Sequence, residues 1–193
     1  MTRIFTAVAI LALAGVAFGG YSLGFKYTEV PTYVTDAGPE VEDMYMLRFG
    51  AMASPTFRVE ALLGYAKESF EEDVTDTDWD GSMFAVGGAG YYVIADPANT
   101  QFSFGGQVLY AKTTYEANGE DGPETSAFSV SPLMRIDFAI PGAERFAMYT
   151  EYGIRYASAT TTVEGAEEDY EYKWSGYQTY SPMEILAGAY YTF

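Results

Sequence analysis

The chain has 193 residues, 27 of them acidic against 10 basic, with no histidine and no cysteine. A formal net charge of −17 disfavours nucleic acid and acidic polymers as partners, and the lack of cysteine removes disulfides, thiolate chemistry and cysteine-ligated metals. The length fits one domain, and no Pro/Ser-rich linker divides it.

At the amino terminus Arg3 precedes a run of apolar or small residues from Ile4 to Phe18, too short to cross a bilayer as a helix. It predicts a signal peptide over residues 1–19, cleaved after Ala17 or Gly19, followed by a single domain over 20–193.

Beyond it no window keeps a helical period. Segments of about ten residues instead alternate between large apolar and small or polar side chains, the signature of strands with two unlike faces. The first, Tyr21 to Glu29, sets Tyr21, Leu23, Phe25 and Tyr27 against Ser22, Gly24, Lys26 and Thr28. The second, Met44 to Ala53, opposes Tyr45, Leu47 and Phe49 to Arg48 and Gly50, and the third, Phe57 to Ala66, opposes Phe57, Val59, Leu63 and Tyr65 to Arg58, Glu60 and Gly64. The fourth, Ser82 to Ile94, is glycine-rich, with Phe84, Val86, Tyr92 and Ile94 favoured as outward. The fifth places Phe102, Phe104, Val108 and Tyr110 opposite Ser103, Gly105 and Gln107. The sixth places Phe128, Val130, Met134, Ile136 and Phe138 opposite Ser129, Ser131, Arg135 and Asp137. In the seventh, Phe146, Met148, Tyr152, Ile154 and Tyr156 oppose Glu151, Gly153 and Arg155; the eighth alternates from Glu184 to Phe193.

Connections alternate in length. Short ones fall at Ser54–Thr56, Ala95–Thr100 and Pro141–Arg145, and long ones over roughly 31–43, 67–81, 112–126 and 158–178. The long connections hold 20 of the 27 acidic residues, which puts the acidity at one end, predicted as the cell exterior.

A soluble up-and-down barrel shares this alternation, so residue type has to decide which face looks outward. The polar face is glycine, alanine and serine with a few charges, and lacks the Lys/Glu mixture of a solvated exterior. The bulky face is Phe, Tyr, Leu, Val and Ile, with aromatics near strand ends, as at a membrane interface. The prediction is an all-β fold, an eight-stranded antiparallel transmembrane up-and-down β-barrel. A closed barrel of strands is one of the few structures that satisfies every backbone hydrogen bond in lipid.

The last strand carries a more specific likeness. Gly188, Tyr191 and the terminal Phe193 match the final-strand pattern that the barrel assembly machinery reads in bacterial outer-membrane proteins, although Leu186 stands where a polar residue is usual. Over essentially the whole of residues 20–193 the chain resembles the small OmpA/OmpX-like outer-membrane barrels. The resemblance implies the outer membrane of a Gram-negative bacterium, both termini in the periplasm, and lipid, lipopolysaccharide and the assembly machinery as surroundings.

Inside such a barrel the candidate residues are Lys26, Arg48, Arg58, Arg135 and Arg155 with Glu60, Asp137, Glu151 and Glu184. Eight strands leave an interior just wide enough for side chains, and buried charges persist when paired, so a salt-bridged plug is the first expectation. The alternative is a narrow gated path in which Arg155 rearranges against Glu151 or Glu184.

Catalysis is disfavoured. Lipid A palmitoyltransferases, lipid A deacylases and omptin-type proteases, the small-barrel enzymes this chain resembles in outline, use a histidine it does not have. No serine has a lysine or carboxylate base at a telling spacing either. Gly87-Gly88-Ala89-Gly90 lies within a strand, lacks a phosphate-loop lysine, and reads as close packing.

Two features remain in the long connections. Asp76, Asp78 and Asp80 before Gly81 match the start of a calcium loop, but Gly87 stands where an EF-hand needs glutamate, leaving a solvated acidic loop or weak Ca²⁺ or Mg²⁺ binding. Tyr170, Tyr172 and Trp174 alternate with Asp169, Glu171 and Lys173, predicting a strand that continues above the membrane. Its aromatics either cover the barrel mouth or offer an edge and anchors to a protein ligand, and Trp79 in loop two allows either use. The functional expectation is a non-enzymatic barrel with a structural or surface-interaction role; the alternative is a narrow porin-like path for ions or small solutes.

Overall fold

The computed structural model describes residues 20–35, 37–72, 77–97, 99–117, 120–164, 169–179 and 186–193, so the predicted signal peptide lies outside it. Among the described residues nine strands form one antiparallel sheet: β1 (Tyr21–Thr35), β2 (Gly38–Ser54), β3 (Phe57–Glu72), β4 (Thr77–Ala95), β5 (Thr100–Ala117), β6 (Glu120–Ile140), β7 (Ala143–Val163), β8 (Tyr170–Thr179) and β9 (Leu186–Thr192). Each strand from β1 to β7 pairs with the next. The ring closes through β9, which pairs with β7 along Phe146–Glu151 and with β1 along Ser22–Lys26. Strand β8 continues the same stave outward along β7, from Ile154↔Thr179 to Val163↔Tyr170. The barrel therefore has eight staves, the last made of β8 and β9.

The ends of the barrel differ as predicted. At one end the links are tight turns, Pro55-Thr56 and Pro141-Gly142 being two residues each, and in the latter Gly142 adopts φ 83° after a proline that fixes the preceding φ. At the other end the long connections are largely strand. The boundaries expected at 31–43, 67–81 and 112–126 are overtaken by hairpins in which β1 reaches Thr35, β3 reaches Glu72 and β5 reaches Ala117. Strands β1 to β7 are 15–21 residues long, against the roughly 9–11 a tilted strand needs to cross the hydrocarbon layer. The hairpins rise clear of the apolar band, which lets their acidic side chains stay in water while backbone pairing continues.

Packing is inside out relative to a soluble protein. Tyr45, Tyr65, Phe104, Met148 and Ile154 point outward and are exposed, whereas Lys26, Arg48, Glu60, Arg135, Asp137, Glu151 and Arg155 are buried. The fourth strand faces as favoured, with Phe84, Tyr92 and Ile94 exposed. A Cβ at Gly90 would stand 3.0 Å from the Phe57 ring, so at that glycine the close-packing reading holds. Tyr27 on Tyr45 and Tyr156 on Tyr177 pair at ring-centroid distances of 5.3 and 5.2 Å on the outward face towards the outer end. Tyr191 on Phe193 does the same at the turn end.

The β1–β2 hairpin departs from a plain cylinder. Among the described residues no further pairing joins β2 to β3 above Met46↔Gly64, and none joins β1 to β9 beyond Lys26. The outer half of the hairpin thus parts from β3 and leans across the lumen, where Val34 packs against Ala127 and Ala159. A bulge between Pro31 and Tyr33 bends β1. Val30, Thr32 and Val34 are consequently buried inside the mouth.

Candidate functional site

The lumen is filled in layers. In the middle, period-two facing brings charged residues from β1, β2, β3, β6 and β7 to one level, and Arg135 of β6 lies at its centre. Its guanidinium bonds Glu60 at 2.8 Å and Asp137 at 2.6 Å and lies 3.7 Å from Glu151. Its Cζ stands 3.7 Å from the centroid of the Tyr149 ring, a cation–π contact. Glu60 also accepts from Arg48, whose Cζ lies 4.2 Å from the Tyr190 ring centroid. Arg58 bonds Asp137 at 3.0 Å and Gln101 at 2.7 Å. Lys26 donates to Glu151 and Gln107, and Tyr91 donates to the other Glu151 oxygen at 2.6 Å. Buried ions survive by sharing partners in this way, each carboxylate being held by more than one donor.

Seven of the predicted interior charges, Lys26, Arg48, Arg58, Glu60, Arg135, Asp137 and Glu151, are therefore joined in one network. Arg155 lies further out, where its Nη1 donates to the Glu29 carbonyl at 2.9 Å and ties β7 to the leaning arm of β1. Glu184 lies outside the described residues. Sequence reasoning did not single out Tyr91, Tyr149 and Tyr190, which wall the network, nor Gln101 among its partners. Parity carried the signal, since Tyr91 sits one position from outward Tyr92 and Tyr149 one from outward Met148.

Outward of the charges comes an apolar layer of Val30, Met44, Met46, Leu62, Met83 and Leu109. Flexible methionines suit such an irregular gap. Beyond it the β1 arm is fastened by Val34 N–H donating to Thr161 Oγ1 at 2.8 Å, which in turn lies 2.6 Å from Thr125 Oγ1. Tyr172 and Trp174 pack against Val34, Ala127 and Ala159, so these two aromatics cover the barrel mouth, while Tyr170 is exposed. At the opposite end a vestibule of about 200 Å³ is lined by Arg58, Asp96, Gln101, Asp137, Glu144 and Tyr190 among others.

Of the acidic motif in the second hairpin, Asp76 lies outside the described residues, Asp78 belongs to β4, and Asp80 is engaged by Ser69 at 2.5 Å and Lys67 at 3.5 Å. The Ser69 hydroxyl, then Lys67, hold the Asp80 carboxyl below its ordinary range. Among the described residues no three acidic side chains converge as a metal site would require. In the final-strand pattern, Gly188 faces Lys26 of β1 and Tyr149 of β7, and Tyr191 and Phe193 lie on the outward face.

No protein-family model matches the sequence, and no curated protein matches it. Solved structures do match. Neisserial surface protein A superposes over 90% of this chain and 96% of its own, with TM-score 0.51 and 11% identity. Ail, the attachment invasion locus protein of Yersinia pestis, superposes over 91% and 99% with TM-score 0.51 and 14% identity. A major outer membrane protein from Thermus thermophilus superposes over 91% and 100% with TM-score 0.53 and 11% identity. The ring of eight staves, the inverted packing and these likenesses agree that the chain has the fold of the small outer-membrane β-barrels.

Proposed function

We propose that this chain is a non-enzymatic outer-membrane barrel with a plugged lumen, acting through its outer hairpins in a structural or surface-interaction role. The observation that carries the reading is the layered filling of the interior. Arg48, Arg135 and Glu151 are fully buried, the methionine-rich layer lies above them, and the β1 arm lies above that. Water and ions need a continuous polar path, and an apolar layer over a network of paired ions opposes one. The acidic hairpins then face the exterior, where they would meet lipopolysaccharide through bridging divalent cations, or a protein ligand.

A neighbour of the same fold, Ail, has been solved with the heparin analogue sucrose octasulfate. With 27 acidic and 10 basic residues the present chain is poorly suited to such a polyanion, so its surface partner would differ in charge. The barrel assembly machinery would meet Gly188, Tyr191 and Phe193.

The test is single-channel recording of the refolded protein in a planar bilayer. A silent membrane with inserted protein is expected, and reproducible openings would favour the narrow pore instead. Calcium bridging is checked separately: replacing Asp76, Asp78 and Asp80 with asparagine should abolish a calcium-induced thermal shift, and an unchanged shift would remove those residues from the reading.

A further inference from the structure

The parting of β2 from β3 above Met46↔Gly64 leaves a cleft at the outer mouth. It holds a cavity of about 290 Å³, at the lower end of the range for small-molecule sites. Its floor is apolar, formed by Ala66 and Met83 over the methionine layer. Its rim carries Glu42, Asp43 and Glu68, and among the described residues no cationic side chain lines it. One further group points to a ligand: Thr113 is 2% exposed, lines this cavity, and its Oγ1 has no hydrogen-bond partner among the described residues. Buried hydroxyls are nearly always satisfied, so an orphan beside a cavity is the mark of a missing partner.

We propose that this cleft binds a small aliphatic ammonium ligand, its alkyl part on Ala66 and Met83, its charge between Glu42 and Glu68, and a polar atom on the Thr113 hydroxyl. The chemistry follows from the lining. A metal ion is a poorer fit, because the apolar floor supplies no oxygen ligands and among the described residues no three acids converge on a metal-sized site. Acids on the rim exclude anions and offer charge-assisted acceptors to N–H donors. Tyr27 engages Asp43, which leaves Glu42 and Glu68 as the acids for the ligand. Burial first, then the charges of Glu68 and Glu40, push the Glu42 carboxyl above its ordinary range, as expected of clustered acids with no counter-ion. The inference goes beyond the surface role proposed above and does not depend on a protein partner or on conductance.

The test uses the folded barrel in neutral phosphatidylcholine nanodiscs, labelled with ¹³C at the methionine methyl groups and titrated with 5-hydroxypentylammonium chloride, which carries both the charge and the second polar atom. The Met83 resonance should shift saturably. The double variant Glu42→Gln/Glu68→Gln should weaken binding at least tenfold, and Thr113→Val should weaken it several-fold. Both are near-isosteric, and retention of heat-modifiable gel mobility shows that they fold. The proposal is overturned if no saturable shift occurs, if 1,5-pentanediol shifts Met83 as strongly, if calcium chloride displaces the amine at lower concentration, or if the glutamine variant binds as well as the parent.

Discussion

Replacing Glu60 with alanine should destabilise the barrel more than replacing Arg135 with methionine, although Arg135 makes more contacts. Among the described residues four network cations, Lys26, Arg48, Arg58 and Arg135, face three carboxylates, Glu60, Asp137 and Glu151. Removing Arg135 leaves every carboxylate one cation: Arg48 on Glu60, Arg58 on Asp137 and Lys26 on Glu151. The losses are then the stack on Tyr149 and the hydrogen bonds to Glu60 and Asp137, with no charge left stranded, and the cost should be about 2 kcal/mol. Removing Glu60 takes from Arg48 its carboxylate partner while the guanidinium stays fully buried, with Ser22 Oγ at 3.2 Å as its remaining hydrogen-bond acceptor among the described residues. An uncompensated buried charge costs about 3–5 kcal/mol. Adding Arg48→Met to Glu60→Ala should recover a large part of that, because the stranded charge is gone. Urea titration in phospholipid vesicles, followed by tryptophan fluorescence and by heat-modifiable mobility, gives the three free energies. Arg135→Met costing more than Glu60→Ala, or no recovery in the double variant, would refute charge balance as what holds the plug.

Gly188→Ala should cost about 1–3 kcal/mol by overpacking, since a Cβ there would overlap the Phe25 carbonyl oxygen and the Tyr149 ring. Refolding without any assembly machinery measures it, and unchanged stability would leave Gly188 a recognition role alone. Arg155→Ala removes the tie to the Glu29 carbonyl, so the amides of Val30, Thr32, Tyr33 and Val34 should exchange faster while those of β5 and β6 at mid-barrel hold. Uniform protection would show that Thr161 and the apolar layer hold the arm unaided. For pH the sign follows from the direction of each shift. Glu42 is raised, so the folded hairpin binds its proton more readily than the unfolded chain does, and acidification through the carboxyl range should strengthen the hairpin around Glu40 to Asp43. Asp80 is lowered, so its contribution is present above the unfolded value and is lost as pH falls through the folded one, loosening β3 against β4 at Ser69. Amide exchange at neutral and mildly acidic pH should show these opposite trends, and parallel trends would contradict them.

The membrane-crossing part was legible because lipid makes one physical demand at every position. A strand that crosses must turn apolar groups outward and small or paired polar groups inward, so parity alone located Lys26, Arg48, Glu60, Arg135 and Glu151. The same rule ends where the lipid ends. Above the apolar band lipid no longer constrains the outward face, alternation fades, and Tyr33-Val34-Thr35 or Glu40-Val41-Glu42 looks like loop although each lies in strand. Which cation holds which carboxylate also depends on barrel register, a long-range quantity: Arg58 meets Asp137 across 79 positions of sequence, and Lys26 meets Glu151 across 125. The inward lean of the β1–β2 hairpin was hidden for the same reason. It accompanies the end of β2–β3 pairing at Met46, and it both lays Val30 and Val34 across the lumen and opens the acidic cleft beside it. Filling the mouth and opening the cleft are thus one structural event. A substitution that straightened the hairpin would unseal the first as it removed the second, and conductance and amine binding should change together.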